Sequence, residues 1–256
     1  MKEMDRLVKI MERLRGPGGC PWDAMQDHRS MIPGLVEETY ELADAIENEG
    51  PAEMLEELGD VLLHVVFHAI IAGEEGAFTI RDVATYLADK LVYRHPHVFG
   101  DKQVKDADEV VTNWEKLKQQ ETGKRERESV LSGIPKSLPA LLYALKIQSA
   151  ASRVGFDWEN PDGVVEKIKE EVGELEKAVS EGVGENIEDE IGDMFFTVVN
   201  LARMFKIDPE AALRRSNRKF TKRFSEIEQA AREREIAVSE MSMEEMEAIW
   251  QRTKTR

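Results

Sequence analysis

Glu170, Glu171 and Glu174, then, after a short Gly-rich break, Glu190 and Asp193, are acids at spacings that matter chemically. Residues three or four apart share one face of a helix, so each group crowds one side. Like charges so placed repel unless a cation neutralises them. The arrangement occurs twice: Glu37, Glu38 and Glu41 followed by Glu57 and Asp60 repeat it with the same internal spacing. Two antiparallel helices joined by a short turn would bring Glu171 and Glu174 opposite Glu190 and Asp193. Such an all-oxygen set, without Cys or His, suits a hard cation, Mg²⁺ or Mn²⁺, and does not suit structural zinc. The competing reading of any one Glu-rich helix is a solvated face. That reading weakens here because the later acids of each copy open a helix that turns strongly apolar, and because the duplication kept the acid spacing while the neighbours drifted.

The elements that must carry these acids follow from periodicity and breakers. Residues 3–14 place Met4, Leu7, Val8, Ile10, Met11 and Leu14 at helical spacing, and Gly16-Pro17-Gly18-Gly19 ends that helix. Cys20-Pro21-Trp22-Asp23 reads as a loop, with Asp27 or Ser30 as a cap for a helix over 31–48 that carries Glu37, Glu38 and Glu41. Gly50-Pro51 separates it from a helix over 53–72 that holds Glu57 and Asp60 and reads as buried on most sides. Further helices are expected from Thr79 to Arg94 and from about 106 to 120. The second half replays the first: Lys146-Ile147 echoes Lys9-Ile10, Gly155 to Trp158 echoes Gly19 to Trp22, and Asp189 to Val199 repeats Glu56 to Val66. This is a tandem duplication of a small domain, not a solenoid. A basic helix over 208–234 and a short last helix from Met243 complete the chain. The expected organisation is all-α: two helical-bundle domains, 1–125 and 140–256, with 126–139 as linker.

Composition is consistent with that plan and excludes several alternatives. The 256 residues are rich in helix formers and poor in aromatics. A net charge of −16 argues against general affinity for nucleic acid or an anionic membrane surface. The single cysteine, Cys20, cannot form an internal disulfide, no stretch approaches transmembrane length, and residues 1–15 lack a signal-peptide core; the cytoplasm is the expected compartment.

Lys219 and Arg223, four apart on the basic helix, would project from one face toward a phosphate, and Trp250 offers a flat surface on which a base could stack. The alternatives are a solvated basic face and a core tryptophan. His64, His68, His95 and His97 read as structural or loop histidines. No Glu-x-x-His pair suggests a di-iron site, and there is no P-loop.

Together, the doubled Glu-Glu-x-x-Glu and Glu-x-x-Asp pattern, Gly19-Cys20-Pro21-Trp22-Asp23 with Gln26-x-His28, and Arg153-Val154-Gly155-Phe156-Asp157-Trp158 resemble the MazG nucleoside triphosphate pyrophosphohydrolases over nearly the whole chain. The resemblance implies helical hairpins that pair into a homodimer, and Mg²⁺-dependent hydrolysis of a nucleoside triphosphate to the monophosphate and pyrophosphate. It implies metal ligands at Glu171, Glu174, Glu190 and Asp193, with Glu170 as a supporting or water-orienting acid. It also implies phosphate contacts from Lys219 and Arg223, within a pattern matched by Asn217, Phe220 and Phe224, and a late motif matched by Trp250 and Lys254. In the first copy Glu38, Glu41, Glu57, Asp60, Lys90 and Arg94 are present, but Ala88 and His95 replace the Asn and Phe. Metal binding is expected there, and hydrolysis is an open question. Two other functions remain at this point: a helical partner protein that binds metal and nucleotide without turnover, and an acidic factor that touches nucleic acid through Arg214 to Arg223.

Overall fold

The structure is a computed structural model that describes residues 2–48, 50–107, 109, 110, 113, 114, 117 and 129–254. The chain forms two compact units, Met1–Lys124 and Arg125–Arg256. Among the described residues there are helices and no strands, so the all-α expectation holds. The helix expected over 106–120 and the first residues of the expected linker fall largely outside the described residues.

The first unit contains α1 (Lys2–Arg15), α2 (Pro21–Met25), α3 (Ile32–Asn48), α4 (Pro51–Glu74), α5 (Ile80–Arg94) and α6 (Pro96–Phe99). Helices α3 and α4 form the hairpin that carries the first acid pattern, and α1 packs across α4. Met11 of α1, Met31 and the Val66, Phe67, Ile70 and Ile71 face of α4 make the core. Thr79 caps α5 by accepting from the Asp82 N–H, as its position predicts.

One expectation for this unit needs correction. Cys20 to Asp23 is not a loop throughout, because Pro21 opens the short helix α2. Proline suits a first helical position, and the buried Arg15 guanidinium donates to the α2 carbonyls of Asp23 (2.6 Å) and Gln26 (3.0 Å), fixing its C-terminal end. Helix α4 is buried on most sides over its apolar half, from His64 to Ala72, where only Val65 is exposed; Leu55 and Leu58, in its acid-bearing first half, are exposed.

The second unit contains α7 (Ala140–Ser152), α8 (Pro161–Glu181), α9 (Gly184–Met204), α10 (Pro209–Glu233), a 3₁₀ turn (Val238–Glu240) and α11 (Met243–Lys254). Asn160 caps α8, its Oδ1 accepting from the N–H groups of Asp162 and Gly163. Gly182 ends α8 with φ +71°, a left-handed conformation that glycine adopts without cost, and α9 begins two residues later. That tight turn sets α8 antiparallel against α9. Helix α7 packs on α9, and α10 packs against α7, α9 and α11. Ile227, Ala231, Met241 and Ile249 form a core between α10 and α11. No helix among the described residues is long and apolar enough to cross a membrane.

Candidate functional site

The α8–α9 hairpin determines where the acids of the second copy lie. Glu171 is on the inward face of α8 and is 3% exposed, an unusual position for a carboxylate. Glu174 follows on the same face, and Glu190 reaches across from α9. One carboxylate oxygen from each of the three lies within 4.8 Å of the others. Glu38 and Glu41 on α3 and Glu57 on α4 make an equivalent group in the first unit. Asp193 and Asp60 stand outside these trios but contribute charge to them. Desolvation first, then the charges of Glu174, Glu171, Asp193 and Asp189, push the Glu190 carboxyl above its ordinary range. Glu38 is raised in the same way, by desolvation and then by Asp60, Glu41 and Glu57.

The donor set passes a chemical test for a hard cation. Carboxylates crowded to this degree favour protonation, and a divalent ion relieves that crowding while supplying the oxygen coordination it prefers. Lys167 pairs with the second trio, its Nζ 2.9 Å from Glu171 and 2.7 Å from the neighbouring Glu170. Its pKa is raised by those two hydrogen bonds. Glu170 itself faces outward. The position of Lys167 in the first unit is held by Gly34, against which the His64 ring packs so closely that an added Cβ would lie 3.0 Å from Cε1.

The cationic residues form a second group on α10 and α11. Lys219 is exposed, while the Arg223 guanidinium lies over the Trp250 ring at 5.5 Å. Phe220 also packs against Trp250, with ring centroids 5.2 Å apart, and stacks on Phe224 at 5.9 Å. Trp250 therefore holds Arg223 in place, and its ring is engaged by protein. Lys254 is exposed near the end of α11. In the first unit Lys90 lies over Tyr86 and Arg94 over Trp114.

Sequence reasoning missed two features. Lys167 was legible as a Lys three and four residues ahead of two acids. The other is a hydrogen-bonded pair, His28 Nδ1 to His68 Nδ1 at 2.8 Å with the rings stacked. It is formed between residues far apart in the chain, so local spacing gave no sign of it.

Comparison with known proteins agrees with this geometry. The family model of the MazG nucleotide pyrophosphohydrolase domain matches residues 26–99 and 159–227, the two acid-bearing segments. A Thermotoga maritima protein named nucleoside triphosphate pyrophosphohydrolase/pyrophosphatase MazG is 47% identical over 98% of this chain and 95% of its own length. An Escherichia coli K12 nucleoside triphosphate pyrophosphohydrolase is 42% identical over 99% of this chain and 98% of its own. The uncharacterized Bacillus subtilis protein YabN is 47% identical over 98% of this chain, which spans 52% of that longer protein. With two matched segments and full-length relatives at this identity, the chain belongs to the MazG nucleotide pyrophosphohydrolase family.

Proposed function

We propose that this protein is a Mg²⁺-dependent nucleoside triphosphate pyrophosphohydrolase, acting on ribo- or deoxyribonucleotides to release the monophosphate and pyrophosphate. The observation that carries the reading is the convergence of Glu171, Glu174 and Glu190 on one small volume with Glu171 buried. The names of the full-length relatives support it. In this reading Glu171, Glu174, Glu190 and Asp193 hold Mg²⁺, which Mn²⁺ can replace. A cation held by these residues would offset the charge that develops on the departing pyrophosphate. Glu170, on the outer side of the trio, accepts the proton of the water that attacks the α-phosphorus, and the bond from that phosphorus to the bridging oxygen breaks. Lys219 and Arg223 neutralise the β- and γ-phosphates, Trp250 orients Arg223, and Lys254 adds charge at the end of α11.

The same reading assigns 1–125 and 140–256 as two MazG-like domains joined by 126–139. It makes Glu38, Glu41, Glu57 and Asp60 a metal site in the first. That site lacks the partners of turnover, because Ala88 and His95 stand where the second copy has Asn217 and Phe224. Exposed apolar residues on the hairpins, such as Leu55 and Leu58 on α4 and Phe195 and Val198 on α9, fit a homodimer. The acidic surface fits a cytoplasmic protein without a nucleic-acid or membrane partner.

The test is incubation with nucleoside triphosphates and Mg²⁺. Pyrophosphate is expected, and Glu190→Gln should abolish its release. Orthophosphate as the product, or near-normal release from that variant, rules the assignment out.

A further inference from the structure

His28 reaches from the turn between α2 and α3 to His68 on α4, and their Nδ1 atoms lie 2.8 Å apart. The rings stack, 7° from parallel. The other bonds of the turn are mostly its own: Asp27 Oδ1 accepts from the N–H groups of Arg29 and Ser30, and the Ser30 hydroxyl donates to Gln26 Oε1. At its start Arg15 holds the Gln26 carbonyl, and at its end Met31 enters the core. His28 ties the middle of the turn to α4.

Two ring nitrogens in such contact share one proton, which one donates and the other accepts. The neighbours of the two rings agree on which is which. Glu75 Oε2 lies 3.9 Å from His28 Nε2, which favours a proton on that nitrogen and leaves His28 Nδ1 bare. His68 Nε2 is buried without a partner, so a proton there would lack an acceptor, and the proton of His68 belongs on Nδ1. His68 therefore donates, His28 accepts, and both rings are neutral.

A further proton has no good place. On His68 Nε2 it is buried without an acceptor. On His28 Nδ1 it confronts the His68 Nδ1–H, and only a shift of the His68 proton to that same buried Nε2 relieves the clash. The surrounding charges do not rescue a closed, charged pair. His64, one turn back on α4, is another imidazole, whose positive form repels that of His68. Arg15 of α1 is engaged by Glu74, α3 presents Gly34 to the His64 turn, and α5 contributes the apolar Ile80 to the core. Asp27 of the turn is taken by backbone N–H groups. Glu75 is exposed, and a charged His28 that leaves His68 can pair with it. Burial first, then His28 and His64, hold His68 below its ordinary value of 6.5. Asp60, in the acid cluster, lies about 12 Å back along the axis of α4.

The second unit has no such contact. The register that aligns Glu37 with Glu170 puts His28 opposite Pro161, and the register that aligns Glu57 with Glu190 puts His68 opposite Leu201. There the Asn160 cap starts the helix, and an amide does not titrate near neutrality.

We propose that His28 and His68 form an acid-released latch that holds the 26–31 turn, and with it the start of α3, to α4 while both rings are neutral. The latch contributes stability above 6.5, and the contribution is lost as pH falls through the lowered folded value of His68. Because α3 carries Glu38 and Glu41, release loosens the root of the first acid hairpin, and the second hairpin has no counterpart. The inference does not depend on the hydrolytic reading.

The test uses the full chain in EDTA. Nitrogen NMR of histidine-labelled protein at about pH 8 should place the protons on His28 Nε2 and His68 Nδ1. Amide exchange of residues 26–31, corrected for the intrinsic rate at each pH, should lose roughly fivefold protection between about pH 7.5 and pH 5, one hydrogen bond's worth. His68→Leu, which installs the residue of the second unit, and His28→Asn, a change at a partly exposed side chain, should each give low protection at both pH values without that step. Both variants keep the acids of the first unit, so any loosening caused by carboxylates persists in them and is subtracted. Constant protection in the wild type, the wild-type step in both variants, or the opposite pair of tautomers overturns the proposal.

Discussion

The Lys167 ammonium lies 2.9 Å from the buried Glu171 carboxylate, at the position the first unit gives to Gly34. The two acid clusters, alike in spacing, are therefore compensated differently. In the second, the Lys167 ammonium pairs with the innermost carboxylate. In the first, Gly34 leaves that position without a side chain, and the His64 ring packs against it.

Replacing Lys167 with Met should therefore lower the melting temperature in EDTA and leave it close to wild type in saturating Mg²⁺. A buried carboxylate that loses its counter-ion is destabilising until another cation takes over. An equal loss in EDTA and Mg²⁺ would show that Lys167 acts only through packing.

Arg15 ties α1 to α2 and α4 through the carbonyls of Asp23 and Gln26 and the carboxylate of Glu74, and its guanidinium lies over the Phe67 ring at 5.0 Å. Arg15→Met should cost on the order of 2 kcal/mol in urea unfolding, because buried carbonyls lose their donors. Glu74 is half exposed, so Glu74→Gln should cost only about 0.5 kcal/mol at neutral pH. The pH dependence has a definite sign. Its hydrogen bonds to Arg15 hold the Glu74 carboxyl below its ordinary value of 4.5. That contribution is present above 4.5 and lost as pH falls through the lowered folded value. The Glu74→Gln and wild-type curves should converge there; a constant gap down to strong acid would contradict the linkage.

The acid pattern, the hairpins and the repeat were legible in the sequence because each depends on spacing within one helix or on self-similarity. What was not legible depends on contacts between distant segments. Cys20 to Asp23 carries loop chemistry, and it becomes the start of α2 only because Arg15 arrives to bind its end. The apolar run of α4 reads as burial and is buried from His64 to Ala72 apart from Val65, whereas nothing in the local pattern marks Leu55 and Leu58 as exposed. Trp250 reads as a flat surface, and that Arg223 and Phe220 lie against its ring depends on packing between two helices, which local spacing does not show.

Arg223 over Trp250 predicts coupled variants. Arg223→Ala and Trp250→Ala should each lower kcat/KM, and the double variant should lose less than the sum, with a coupling of about 0.5–2 kcal/mol. Strict additivity would separate the two side chains. Arg223→Lys should behave more like Arg223→Ala than like wild type, because an ammonium does not stack on an indole as a planar guanidinium does.

Gly163 carries an independent prediction about Trp158. Alanine is normally favoured over glycine within a helix by roughly 0.5–1 kcal/mol. Here an added Cβ would approach Trp158 Cε3 to 2.8 Å, so the indole must move. Gly163→Ala should shift the tryptophan emission, with little change in melting temperature. Unchanged emission would mean that the indole does not have to move.

The two acid clusters should separate in a metal titration. Glu38→Gln with Glu57→Gln removes oxygens from the first trio, and Glu171→Gln with Glu190→Gln does so in the second. Calorimetry with Mn²⁺ should show each double variant losing one set of sites, while pyrophosphate release disappears only in the second. The wild-type affinities should weaken as pH falls, because metal binds the ionised carboxylates and the crowding that raises Glu190 and Glu38 makes protons stronger competitors there. In the metal-free chain the sign for stability is the opposite of that for Glu74. A folded pKa raised above the unfolded value penalises the native state as pH rises through the window between them, and the penalty persists at neutral pH. Glu190→Gln removes one of the crowded charges, so the metal-free variant should be more stable than metal-free wild type at neutral pH, and Mg²⁺ should stabilise it less. Loss of turnover in the Glu38→Gln, Glu57→Gln variant would place the chemistry in the wrong half.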